Sequence, residues 1–553
     1  MSRFNDLSRM CRKLQLLAKP GLCAVAAAVA LACLVPVAHA QAQASGEHEV
    51  RDIRSLNATE KKQLLEQIRA RLRQVFDSAK PFPGQVAFVP HKLEFRTEAR
   101  NEVLVIDLGP MDGPQLRDAD MSELSAQLDG TIADFLHELG ISYPIFKHEF
   151  DGRDWYYYHP EDKQYQLEYE RRMHLKGKQS AIPPQDAKVA ISAMHGWYWR
   201  VFEQAWALQR PTESNGIVED YITPEFVDPL KTHLFARSNV LLVGLPRSQS
   251  TDIHPDSGYP WWQMAGRYYL KEQYPDNPEI WHSLDRPTSP RRRNLWQYDE
   301  DIRSRPLFAS HIGADVLFSL HTNAGPPTAS GTRAYVAPGR AEDLALANNV
   351  LCGMKELIHA QDAYQDFEVD DQVREDDGYG ENNLATMPAV VLEVAFHTNA
   401  GDAAALQDPV FVDAAMKGVE KGYRLQAEGE VCVPFKIASI PDVTVPRPGA
   451  MDVPVNYEGF PYFPVTLTIE NLVCPPNNTC TGGTITYTEQ QDSPLYFPFS
   501  CGGASDTVDV SRWRSTLVDT DGVESDPVEH ELTCLPTPGN AANGKPSVSI
   551  GSA

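Results

Sequence analysis

Four residues of this chain have types and settings suited to hydrolytic chemistry: His195, Glu219, His321 and Glu393. His195 ends Lys188-Val-Ala-Ile-Ser-Ala-Met-His195-Gly196, so its imidazole falls on a loop at the tip of an apolar run. Glu219 lies in Gly-Ile-Val-Glu-Asp-Tyr, just before an expected helix, and His321 follows the apolar run Asp315-Val-Leu-Phe-Ser-Leu320. Glu393 sits inside Ala389-Val-Val-Leu-Glu-Val394. Zinc in a hydrolase usually takes three protein ligands and keeps one position for water, whose pKa it lowers to about 7. His195, Glu219 and His321 supply such a set, and Glu393 is the carboxylate that could carry the water's proton to a leaving nitrogen. Taken singly, a histidine at a strand end is more often structural. A glutamate in an apolar strand says more, because burying an unpaired carboxylate costs several kcal/mol; its alternative role is a buried ion pair.

These side chains need a scaffold that brings distant segments together. Between about 185 and 430, apolar runs alternate with helical periodicity. Strands fit 188–193, 239–244, 315–320, 332–336 and 389–394, and helices fit 223–236, 299–312, 341–358 and 409–424. The pattern predicts an α/β domain, a mixed or parallel sheet with helices on both faces, and such sheets place their sites beyond the carboxyl ends of the strands. Pro246 to Arg293 is a long aromatic excursion with Trp261 and Trp262; it reads as a wall of a substrate groove or as ordinary packing.

The chain has 553 residues, which predicts about three domains plus tails. Arg3, Arg9, Arg12, Lys13 and Lys19 precede an apolar stretch from Leu22 to Val37 that ends in Ala38-His39-Ala40. This reads as a signal peptide over 1–40, so the protein is expected to be exported, periplasmic or secreted, without stable membrane insertion after cleavage. Cleavage removes five Lys/Arg and one Asp and takes the net charge from −25 to −29. A surface this acidic argues against nucleic acid and anionic membranes as partners. Six cysteines remain, Cys352, Cys432, Cys474, Cys480, Cys501 and Cys534. On an exported chain they suggest disulfides, and proximity favours 352–432, 474–480 and 501–534.

Residues 50–180 read as a small α+β domain. Helices fit Thr59–Phe76, capped by Asn57 or Thr59, and Ser122–Leu139; strands fit Gln85–Val89 and Glu102–Asp107. Trp155-Tyr-Tyr-Tyr-His159 reads as a strand packing on the next domain, or as a sugar-stacking platform. From about 435 to 536, Val465–Ile469, Thr484–Thr488, Asp506–Val510 and Trp513–Val518 alternate like half-exposed strands, which predicts a β-sandwich; residues 537–553 read as a disordered tail. Arg512 to Ser525 resembles the late strands and turn of a fibronectin type III or immunoglobulin-like module.

The segment 185–425 resembles the zinc-dependent N-acetylmuramoyl-L-alanine amidases that cleave bacterial peptidoglycan. Ile191-Ser-Ala-Met-His195-Gly196 is similar to the family's first histidine motif, and Val218-Glu219-Asp220 to its second ligand. Ser319-Leu-His321-Thr-Asn323 is similar to its Ser-x-His-x-Asn signature, and Pro388-Ala-Val-Val-Leu-Glu393-Val-Ala-Phe396 to the segment holding its catalytic glutamate. The resemblance implies zinc on His195, Glu219 and His321, Glu393 as base, and a peptidoglycan or muropeptide substrate; Asn323 is a candidate substrate contact and a monomer is expected. Ser192-Ala-Met-His-Gly-Trp197 departs from the usual Asp-Pro-Gly-His-Gly-Gly, and His397 offers a rival ligand. His233 and His254 read as surface residues. Another zinc amidohydrolase or peptidase, or a wall-binding protein without metal, are the competing readings.

Overall fold

The computed structural model describes residues 51–78, 90–98, 101–109, 118–158, 183–286, 290–376, 378–476 and 478–538. The expected signal peptide, the expected strand 85–89, His159 and the tail beyond 538 lie outside them. Helix α1 (Ala58–Ser78) begins at a reciprocal cap. Asn57 Oδ1 accepts from the Thr59 and Glu60 amides at 2.9 and 3.1 Å, and Glu60 Oε2 accepts from the Asn57 amide at 2.8 Å. Then come β1 (Lys92–Glu98), β2 (Asn101–Asp107), α2 (Asp118–Glu138), β3 (Ile145–Phe150) and β4 (Arg153–Asp154), with the strands in the order β1-β2-β3-β4. Leu64, Ile68 and Leu72 of α1 and Leu124, Leu128 and Ile132 of α2 share one buried cluster with Leu104 and Ile106 of β2. The segment read as a strand from Trp155 is instead a helical turn, α3 (Trp155–Tyr158). The Tyr158 hydroxyl donates to Phe150 O at 2.9 Å, and both Trp155 and Tyr158 pack on this same cluster.

Next in the chain are β5 (Lys188–Ala193), the hairpins β6 (Trp197–Arg200) with β7 (Ala205–Leu208) and β8 (Glu213–Ser214) with β9 (Ile217–Val218), and α4 (Glu219–Ile222). The single helix expected over 223–236 is broken into a 3₁₀ turn, α5 (Val227–His233) and a π turn. Pro229 removes the amide donor that one continuous helix would direct to Glu225 O, whereas Pro224 lies in the first turn, where no donor is used. There follow β10 (Leu242–Gly244), α6 (Gly266–Gln273), α7 (Pro278–Trp281), α8 (Pro290–His311), β11 (Val316–Asn323), β12 (Arg333–Val336) and α9 (Ala341–His359). Then come β13 (Arg374–Glu375), α10 (Gly380–Leu384), β14 (Ala389–Phe396), α11 (Ala400–Leu406) and α12 (Pro409–Glu428).

These strands form a six-stranded mixed sheet in the order β10-β5-β11-β14-β12-β13, parallel from β10 to β14, with β12 antiparallel to β14. Side chains alternate across it with period two. Val189, Ile191, Phe318, Leu320, Val390 and Leu392 face one cluster with α9 and α12, whereas Ala190, Leu317 and Ala389 face another with Ala309 of α8. By the same parity, His321 and Glu393, which are register partners, project toward the α8 side. Helices α9 and α12 approach closely because Gly418 and Gly422 are bare: a Cβ at Gly418 would stand 2.3 Å from Met354 Cα.

The remaining strands are β15 (Lys436–Ser439), β16 (Val443–Val445), β17 (Gly449–Glu458), β18 (Val465–Val473), β19 (Gly483–Tyr487), β20 (Leu495–Cys501), β21 (Asp509–Val518) and β22 (Val528–Cys534). Their sheets, β15-β17-β20 and β16-β22-β21-β18-β19, share a core that includes Val453, Phe497, Leu467, Trp513 and Leu532. The two strands expected at 506–510 and 513–518 are one, β21. Ser511 keeps the inward alternation going because its hydroxyl donates to Leu532 O at 2.9 Å and accepts from Trp513 Nε1 at 2.8 Å. Leu357 of α9 belongs to this same core. The structure pairs Cys352 with Cys432, Cys474 with Cys480 and Cys501 with Cys534.

Candidate metal centre

His195 lies just past the end of β5 with φ 70°, a left-handed conformation that costs a non-glycine residue about 1–3 kcal/mol. Gly196 follows with φ 127°, and a Cβ there would stand 2.6 Å from the Ala265 amide nitrogen. The turn is therefore pressed flush against the aromatic excursion, whose Ala265 amide donates to Trp197 O at 3.0 Å. Glu219 is itself the first residue of α4 rather than preceding the helix. Its Oε1 lies 3.2 Å from His195 Nε2 and 3.2 Å from His321 Nδ1. The two imidazoles stand edge to face, centroids 5.0 Å apart. One ligand atom from each of the three buried residues falls within 4.8 Å of the others, the one such set among the described residues.

The donors fit a zinc ion. His195 Nε2 and His321 Nε2 are buried without a hydrogen-bond partner. His195 Nδ1 lies 3.1 Å from Gln209 Oε1, which can only accept, so the proton sits on Nδ1 and the Nε2 lone pair points at the centre. Gln209 is held in turn: its Nε2 donates to Asp301 Oδ2 at 3.0 Å, and Arg305 of α8 pairs with Asp301 and, at 2.7 Å, with Glu381. Burial depresses the His195 pKa to about 3 and keeps the ring neutral, as a ligand must be. For Glu219, burial works toward protonation, but His195 and His321 outweigh it and hold the carboxylate ionised. Burial also opposes charge on His321, yet its hydrogen bond to Glu219 and the nearby Glu393 raise its pKa; a metal would have to displace that proton.

Glu393 stands beside this set through its register with His321. Oε1 accepts from the Tyr379 hydroxyl at 3.2 Å, and Oε2 is buried without a partner. Burial, reinforced by the charge of Glu219 and opposed by His321, lifts its pKa to about 7. A carboxyl poised there can take and return a proton near neutral pH.

Several supporting residues carry no motif. Buried Arg247 donates from Nη1 to Met194 O and from Nη2 to Asp220 O, both at 2.7 Å, and so clamps together the turns that carry His195 and Glu219. Thr223 Oγ1 also donates to Met194 O, at 2.9 Å. Asp220 accepts from the Gln209 and Arg210 amides at 2.9 and 3.0 Å, which fixes Gln209 behind His195. Asp301 and Arg305 lie on α8 and are both buried, so the fold turns this charged face of the helix inward. Asn323 is buried at the end of β11, where its carbonyl accepts from the His397 amide at 3.0 Å. Trp262 is half-buried, edge-on to Tyr221 at 5.6 Å, and Trp261 packs on His254 at 4.6 Å. His397 is not in the ligand set: its Nδ1 pairs with Thr322 Oγ1 at 3.0 Å. His254, expected at the surface, is buried against Trp206 and Trp261, with Nδ1 2.9 Å from Ser257 Oγ. His233, also expected there, is half-buried and 2.8 Å from Asp413.

The fold is thus a mixed α/β sheet with a two-histidine, one-glutamate set beside the carboxyl ends of its strands that could hold a metal ion. Residues 212–424 match the Amidase_3 family, described as N-acetylmuramoyl-L-alanine amidase. The match begins after His195, so the first histidine enters the site by geometry. No curated protein matches the chain. Among solved structures, the N-acetylmuramoyl-L-alanine amidase from Clostridium difficile 630 is 16% identical, with a TM-score of 0.29 over 43% of this chain and 95% of that one. The catalytic domain of CwlV from Bacillus (Paenibacillus) polymyxa var. colistinus is 19% identical, TM-score 0.26, over 43% and 95%. Ami1 from Mycobacterium smegmatis is 12% identical, TM-score 0.29, over 44% and 98%. Among the described residues no helix is long and apolar enough to cross a membrane.

Proposed function

We propose that this protein is an exported zinc-dependent N-acetylmuramoyl-L-alanine amidase that hydrolyses the amide between N-acetylmuramic acid and L-alanine in peptidoglycan. The observation that carries the reading is the convergence of His195, Glu219 and His321 within 4.8 Å, with Glu393 in register beside His321. His195, Glu219 and His321 would hold the zinc, which when bound supplies Lewis acidity to a water and to the scissile carbonyl. Gln209 keeps His195 in the ligating tautomer. Glu393 takes a proton from the attacking water and returns it to the departing L-alanine nitrogen, so that the amide leaves as a neutral amine. Asn323, Trp261 and Trp262 are proposed substrate contacts.

In this reading the chain divides into a signal peptide (1–40), an α+β domain (50–180), the amidase domain (185–430) and a fibronectin- or immunoglobulin-like β-sandwich (435–536), and it acts as a monomer. Digestion of purified sacculi tests the activity. The expected products are stem peptides with a free L-alanine amino terminus and glycan strands with unsubstituted lactyl groups, identified by mass spectrometry. Cleavage within the peptide stem instead would assign the site to a peptidase.

A further inference from the structure

Resting on the assignment of Glu393 as base, we infer that Tyr379 is a positioning residue that fixes which oxygen of Glu393 takes the proton. The two oxygens of a free carboxylate are equivalent, and its terminal torsion is broad and two-fold. Here the symmetry is broken. The Tyr379 hydroxyl donates to Oε1 at 3.2 Å, and Oε2 is left as the buried oxygen without a hydrogen-bond partner. A phenol is well suited to hold a base in place. It orders the carboxylate without the full positive charge of a lysine or arginine, which would stabilise the anion and weaken it as a base.

Tyr379 is itself located from several sides. Its ring packs on Tyr335 of β12, centroids 4.9 Å apart, and stands edge-on to His321 at 6.2 Å. Tyr379 is the residue before α10, and Asn382 of that helix donates to Tyr335 O at 2.8 Å, which ties α10 to β12. Strand β12 runs antiparallel beside β14, the strand of Glu393. Arg374 lies 5.8 Å from the Tyr335 ring and backs the pair. The phenol is thus braced by the same sheet that carries the carboxylate it addresses.

The test is Tyr379→Phe in the zinc-loaded full chain, which keeps the ring packing and removes only the donor. On a defined muramoyl-L-alanine peptide, kcat should fall roughly 10–100-fold with KM, zinc content and Tm unchanged. The double variant Tyr379→Phe/Glu393→Gln should be no slower than Glu393→Gln alone, because the donor then has no base to orient. A crystal structure of Tyr379→Phe should show the Glu393 carboxylate in more than one orientation. An unchanged kcat, a fall in the double variant equal to the product of the two single effects, or a Glu393 carboxylate that stays as in wild type would each overturn the proposal. If wild type leaves the muramoyl amide uncut, the proposed activity fails, and the carboxylate's orientation still decides the role of Tyr379.

Discussion

Both the four-stranded and the six-stranded sheet bury carboxylates, but they answer them differently. In the first, Glu102 lies 2.7 Å from Lys61, and Glu149 is gripped by Arg96 at 2.6 and 3.0 Å. Asp107 accepts from the Gly109, Asp151 and Gly152 amides at 2.8, 3.0 and 3.0 Å. Each charge is matched by a cation or by backbone donors. In the second, Glu393 has a single phenol donor on one oxygen and none on the other, and it lies beside two histidines with unpartnered ring nitrogens. Matched burial holds a fold together; unmatched burial holds groups ready to react, at a cost in stability that the surrounding core offsets.

The largest effect should come from removing a ligand. His321→Ala should lower zinc content well below one per chain and reduce amide hydrolysis to background, with the fold retained by circular dichroism. Full zinc occupancy in that variant would show that the unpartnered histidines serve something other than a metal.

Next in size is Glu393→Gln. Zinc content and Tm should stay near wild type while turnover drops about 10²–10⁴-fold, the usual worth of a general base. Its pH dependence has a definite sign. A general base works as its carboxylate, and the Glu393 pKa is raised to about 7, so in the proposed role activity should be lost as pH falls through that region. A bound cation favours the carboxylate and can only move that limb to lower pH. If Glu393→Gln instead loses stability and keeps its rate, Glu393 belongs with the matched carboxylates and the contrast between the sheets disappears.

The smallest effect tests the other side. Glu149→Gln removes one of the two carboxylates that pair with Arg96, leaving Glu94, and should cost about 0.5–1.5 kcal/mol of stability, read as a lower Tm, with turnover per folded molecule unchanged. A selective fall in turnover would place the four-stranded sheet in the catalytic machinery.

Much of this architecture was legible because it is written in local patterns. The apolar runs 188–193, 315–320 and 389–394 fall on β5, β11 and β14, and the stripes of α9 and α12 lie close to the predicted bounds. Errors arose where the local signal was absent or pointed elsewhere. Pro229 interrupts the helix expected over 223–236, and a hydroxyl that satisfies its own hydrogen bonds lets β21 run on through Ser511. His254 read as a surface residue because only tertiary contacts place it between Trp206 and Trp261.

The sequence by itself determined which residues end the parallel strands and which carboxylate interrupts an apolar run, because side-chain parity and burial cost are local properties. Tertiary structure alone decided what stands behind them. Gln209, Asp301 and Arg305 order His195, Arg247 joins the turns of His195 and Glu219, and Tyr379 addresses one oxygen of Glu393. These partners come from loops and helices far apart in the chain, and no spacing rule relates them. Their roles follow from distance and hydrogen-bond direction, which exist only once the sheet and its flanking helices have closed around the site.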